Sequence, residues 1–142
     1  MRLNAKILKN VNNVNSWVYA NQAFMSEGQA NTLYIQFVDL DQSSDPSVEK
    51  SQSFPQFPVR YIPQGTTIGA EATFPALEDS EEFTVTGTQP FAQDRSIWKF
   101  DLSAVQVPSS GNVDFKLTED GSSKSFKVKN AVQLDPTSIG GC

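Results

Sequence analysis

The chain predicts an all-β fold, an antiparallel sandwich of about seven to eight strands with an extended N-terminal arm. Three observations lead there. Apolar and polar residues alternate over successive short runs, turn-forming residues separate those runs, and helical spacing is confined to one segment. The chain of 142 residues, 38% of them hydrophobic, is long enough for one domain with its own core. Ten phenylalanines, two tryptophans and three tyrosines supply bulky material for that core.

Residues 1–13 form the arm. Leu3, Ile7, Val11 and Val14 have helix-like spacing, but the asparagines between residues 10 and 15 oppose a helix, and an extended segment answers the pattern equally well. The β-domain spans 14–135, and 136–142, ending in "SIGGC", is a flexible tail. In "NTLYIQFVDL", Leu33, Ile35 and Phe37 point one way while Tyr34, Gln36 and Val38 point the other. "TTIGAEATF" turns Ile68, Ala70, Ala72 and Phe74 inward, and "EFTVTGT" adds Phe83 and Val85. "NVDFKL" contributes Val113, Phe115 and Leu117, and "KSFKVKNAVQL" contributes Phe126, Val128, Val132 and Leu134.

"SEGQAN", "PQGT", "VPSSGN" and "TEDGSSK" carry turn chemistry. Asp120-Gly121 marks a hairpin, with a loop that reads as longer than two residues. Residues 101–107 offer one helical turn capped by Asp101 or Ser103. From Asp41 to Pro58 runs a long irregular loop carrying Phe54 and Phe57, each followed by proline. Loops of that length inside a compact domain bind or cover something.

The richest stretch is "QPFAQDRSIWKFDL", residues 89–102. Trp98, Phe100 and Leu102 enter the core at period two, with Ile97 and Lys99 opposite. Asp94 and Arg95 read as an ion pair in the preceding turn, worth about 0–1 kcal/mol. A sharper reading makes Phe91, Arg95 and Lys99 an aromatic-plus-arginine patch, the composition of interface hot spots.

Histidine is absent, which removes the usual general base and most transition-metal sites. The single cysteine, Cys142, is terminal, so no internal disulfide is expected. A net charge of −5 argues against a nucleic-acid partner. No apolar run approaches the ~20 residues of a membrane span, and no signal-peptide pattern opens the chain. Asp39, Asp41 and Asp45 offer three carboxylates to calcium, but as an EF-hand the loop places Ser44 where glycine is needed and Lys50 where glutamate is needed. Glu78, Asp79, Glu81 and Glu82 form an acidic run that reads as a solvated loop or a surface for a basic partner. With no nucleophile elbow and no phosphate loop, neither catalysis nor a cofactor nor a metal is expected. A sugar-binding alternative rests on Trp17, Tyr19 and Trp98 as stacking platforms.

The succession "EGQANTLYIQFVDL", "RYIPQGTTIGAEATFP", "QPFAQDRSIWKFDL" and "GNVDFKLTEDGSSKSFKVKNAV" resembles small β-sandwich virion proteins of tailed bacteriophages, over about residues 14 to 135. The resemblance implies an immunoglobulin-like sandwich and a non-enzymatic adaptor of the neck, tail or baseplate, assembled in the host cytoplasm into the virion. Its partners would be copies of itself and other virion structural proteins; capsid decoration is the alternative role. Interface candidates are then Arg2, Lys6 and Lys9 of the arm, Phe54 and Phe57 of the long loop, and Phe91, Arg95 and Lys99.

Overall fold

Wherever polar and apolar residues alternate strictly, the chain is a strand. The computed structural model describes residues 2–10, 17–41, 59–75 and 82–135. Ten strands lie among them: β1 (Leu3–Asn10), β2 (Trp17–Ala20), β3 (Ala23–Ser26), β4 (Asn31–Asp39), β5 (Val59–Arg60), β6 (Ile68–Phe74), β7 (Phe83–Thr86), β8 (Ile97–Leu102), β9 (Gly111–Glu119) and β10 (Ser122–Asp135). No helix occurs among the described residues. The count exceeds the seven or eight expected because β2, β3 and β5 are too short to show a period.

The strands form two five-stranded sheets in a sandwich-like arrangement. In the first, β1 lies between β2 and β4. The far edge of β4 is shared: β8 pairs with Asn31 to Gln36, and β5 with Val38 and Asp39. At the handover, the Phe37 N–H donates to the Ser96 carbonyl at 2.9 Å, and the Tyr61 N–H donates to the Phe37 carbonyl at 2.8 Å. The second sheet runs β3-β10-β9-β6-β7, antiparallel except for the parallel pair β3–β10.

The N-terminal arm expected at residues 1–13 is corrected by this topology. Leu3 to Leu8 pair in register with Asp39 to Tyr34, so the segment is a strand of the first sheet and the domain begins well before residue 14. Ala5 and Ile7 are buried on its inner face, and that burial outweighs the weak helical spacing.

The core follows the predicted alternation. Leu33, Ile35 and Phe37 from β4 and Trp98, Phe100 and Leu102 from β8 face Ala70, Ala72, Phe74, Val113, Phe115 and Leu117 of the second sheet. Aromatic rings pack within and between the layers: Phe37 meets Trp98 of its own sheet and Phe126 of the other edge-on at 6.2 and 5.8 Å, and Phe100 lies 5.7 Å from Phe115 across the layers. Burying each such ring contributes roughly 1.5–3 kcal/mol. Late in β10 the register slips, four steps from Val128 to Val132 opposing two from Val113 to Gly111. Past the slip Ala131 and Val132 are both buried, whereas Phe126 and Val128 before it are partly buried against the core. Asn130 takes the positive φ of 54° that the slip requires, and its N–H donates to the Asn112 side chain at 2.8 Å.

The chain switches sheets five times between β1 and β10, and two of these crossings lie at the two sides of the sandwich. At one side β2 belongs to the first sheet and β3, two residues on, to the second. At the other, the chain leaves β7, where the Gly87 N–H donates to the Ala70 carbonyl at 2.8 Å, and Thr88 exchanges two bonds of 2.8 and 2.9 Å with Lys99 of β8. A β-carbon on Gly87 would lie 2.6 Å from the Phe100 ring, so only glycine lets the chain cross over the core there.

The hairpin between β9 and β10 also differs from expectation. Ser122 pairs with Glu119 across a two-residue loop in which Asp120 and Gly121 both have positive φ, 48° and 89°. That is a type I′ turn, whose twist matches the flanking strands. The helical turn expected within 101–107 is instead a tight turn closed by the Gln106 N–H on the Ser103 carbonyl at 3.0 Å.

Candidate functional site

The outer face of the first sheet departs most from simple alternation. Leu8, Gln36, Val38 and Ile97 all point away from the core by parity, yet all are buried. A polar network spans this face. The Tyr19 hydroxyl donates to Gln36 Oε1 at 2.6 Å. Since β1 lies between their strands, the Tyr19 ring must cross it, and Leu8, its register partner, lies beneath that path. Gln36 Nε2 donates to Ser96 Oγ at 3.1 Å and reaches Asp94 Oδ2 at 3.5 Å. Asp94 Oδ1 accepts from both the N–H and the hydroxyl of fully buried Ser96, an Asx-type turn that brings the chain into β8.

Asp94 does not pair with Arg95, as its sequence neighbour suggested. Its ion pair is with Arg60, Nη1 to Oδ2 at 3.2 Å. The reason is the shared edge of β4: the turn entering β8 and the strand β5 occupy successive stretches of it, which places Arg60 beside Asp94. Arg95 is left exposed at the crest of the turn. Its carbonyl accepts from Gln89 Nε2 at 2.8 Å, which clasps the segment 89–96 at its base. Phe91 is half-buried in the same segment. Lys99 lies on the sheet face and pairs with Asp101 at 3.7 Å, while Asp101 also accepts from Thr32 at 2.9 Å.

The basic residues of the first strand diverge. Arg2 pairs with Asp41 at 3.6 Å. Lys6 lines a groove of about 380 Å³ with Lys127 and Lys129 of β10. Lys9 lines a second groove, of about 240 Å³, with Phe24 and Tyr34. Phe24 is 65% exposed, the most exposed aromatic among the described residues. It was legible in "AFMS", where buried Met25 forces its neighbour outward, but four residues are too few to declare a strand.

Asp39 and Asp41 are engaged in the fold. Asp39 Oδ1 accepts from the Arg2 and Asp41 N–H groups at 3.2 and 3.0 Å, closing the end of β4 onto the start of β1. Among the described residues no group of three or more ligating side chains could hold a metal ion. Asp45, Phe54, Phe57, Glu78, Asp79, Glu81, Cys142 and the Trp17 side chain lie outside the described residues; Glu82 is exposed. Trp98 is only 3% exposed and its indole N–H has no hydrogen-bond partner, so it is core and not a sugar platform.

A second polar constellation joins the sheets. Tyr61, just past β5, donates its hydroxyl to Glu119 Oε2 at 2.6 Å, and the Gln64 N–H donates to Glu119 Oε1 at 2.6 Å. Asp120 Oδ1 accepts from the N–H groups of Thr66 and Thr67 at 3.0 and 2.8 Å. The β9–β10 turn thereby clasps residues 61–67. Burial, then the hydrogen bond to Glu119 and the nearby charges of Glu119 and Asp39, push the Tyr61 hydroxyl up to about 12.

Compared with known proteins, the chain matches no family model, no curated protein and no solved structure.

Proposed function

We propose that the chain is an immunoglobulin-like, non-enzymatic structural subunit of a tailed-phage virion, acting as an adaptor in the neck, tail or baseplate. Its partners in this reading are copies of itself and neighbouring virion proteins. For the fold, the support is the partition of strands: β4 stands beside β8 in one sheet while β6, β9 and β10 stand together in the other. Immunoglobulin sandwiches divide strands B and E from C, F and G in the same manner.

For the role, the observation that carries most weight is the preorganised turn at 89–96. Asp94 and Gln89 fix it from below, and Arg95 projects from it into solvent. The held backbone presents the Arg95 side chain from a fixed position, and an exposed arginine suits a repeated protein contact. Arg95→Ala removes no internal side-chain bond, since Arg95 contributes its carbonyl to the turn. The variant is expected to melt with wild type but to enter particles several-fold less efficiently, read by quantitative mass spectrometry of purified virions. Wild-type protein missing from those virions would sink the reading. A copy number matching the whole capsid surface, instead of a small axial ring, would reassign the subunit to capsid decoration.

A further inference from the structure

Both sheets leave one strand edge partly uncovered at the same side of the molecule. β1 pairs with β2 only from Ile7 to Asn10, so among the described residues Leu3 to Lys6 have a neighbour on the β4 side alone. β10 pairs with β9 from Ser122 to Val128 but meets β3 only from Val132 onward. The groove of about 380 Å³ runs between these two open stretches. Its walls are Asn4, Lys6 and Ile7 of β1, Asn21 at the β2–β3 crossing, and Lys127 and Lys129 of β10. Lys127 pairs with Asp114 at 3.6 Å; among the described residues no ion pair engages Lys6 or Lys129.

Open edges offer backbone N–H and C=O groups to an extended segment, and clustered lysines select an acidic one. The chain contains such a segment. Glu78, Asp79, Glu81 and Glu82 fall in the connection from β6 to β7, four carboxylates in five residues. The other candidates from this chain match less well: residues 136–142 carry no charged side chain, and 42–58 mix Asp45 and Glu49 with Lys50. β7 is the edge of the second sheet opposite β3 and β10, with β9 and β6 between. At about 4.8 Å per strand, roughly 14 Å separates β7 from β10.

We infer that the β1/β10 groove of one copy receives the acidic β6–β7 connection of the next, a head-to-tail contact that can repeat around a ring. The inference rests on the proposal that copies associate, and it names the surfaces that meet.

Charge exchange tests it on the full chain. One variant carries Lys6→Glu and Lys129→Glu; the other carries Glu78→Lys, Glu81→Lys and Glu82→Lys. Sedimentation velocity at low salt is expected to show wild-type oligomers that weaken as salt rises. Each variant alone should sediment as a monomer with an unchanged melting curve. An equimolar mixture should regain the oligomer, because each altered groove then meets a complementary connection. Monomeric wild type, variants that associate like wild type, or a mixture that stays monomeric would each overturn the contact. A chain found in purified virions that nevertheless sediments as a monomer would remove this contact and leave the virion role standing. Charge-exchange rescue in a chain absent from virions would do the reverse.

Discussion

The two outer faces of the sandwich obey the same pleat and have opposite fates. On the second sheet, Lys127 pairs with Asp114 and Lys116 with Glu71, each at 3.6 Å, and Thr73 meets Thr84 at 2.9 Å. These are cross-strand neighbours on a solvated surface, each independent of the next. On the first sheet, the corresponding positions carry Leu8, Gln36, Val38 and Ile97, all buried. There the segment 89–96 contributes Asp94 and Ser96 to a network that extends from Tyr19 to Arg60. A covered face needs its polar groups paired with one another, because water no longer serves them. An open face does not.

The comparison can be tested most sharply at its acids. Asp94→Ala removes one ion-pair partner of a part-buried Arg60 and takes from the buried Ser96 its acceptor for both hydroxyl and N–H. A loss of about 2–3 kcal/mol in urea unfolding is expected, from the lost charged bonds and the groups left unpaired. A loss below about 0.5 kcal/mol, the level of ordinary surface substitutions, would mean that the covered face behaves like the open one.

Between the faces, Tyr61 reports on the junction of the two sheets. Its hydroxyl has a folded value of about 12 against an ordinary 10.0. Below pH 10 both states hold the proton and this group gives stability no pH dependence. Between about pH 10 and 12 the unfolded chain loses the proton first, so stability falls as pH rises. In the Tyr61→Phe variant that part of the alkaline loss should vanish, while wild type should show one tyrosine titrating late by ultraviolet absorbance. An identical alkaline slope in both proteins would remove Tyr61 from the junction.

The smallest effect belongs to the open face. Asp114→Ala breaks a pair whose side chains are each about half exposed, and the change in stability should stay within about 0.5 kcal/mol. A loss matching that of Asp94→Ala would erase the distinction between the faces.

Local pattern carried much of this architecture. In β4, β6, β8 and β9 the inward set was legible because a strand turns successive side chains to opposite faces whatever its neighbours are. The Asp120-Gly121 hairpin was legible as a hairpin, though not as a two-residue loop, since the serines after it read as turn and not as strand. Strand β1 was hidden because its asparagines and spacing carry no strong period. The candidate site was half legible: Arg95 is exposed as expected, whereas Gln36, Arg60 and Ser96 carry no local mark of their role.

What the sequence by itself determined is the all-β class, the inward faces and the absence of histidine chemistry, because each depends on residue type and spacing alone. Tertiary structure decided that β1 is a strand of the first sheet, that Asp94 binds Arg60, 34 residues away, and that one outer face is covered while the other is open. Those outcomes depend on which strands share an edge. A side chain's partner across a sheet is set by register between segments far apart in the chain, and no local period encodes it.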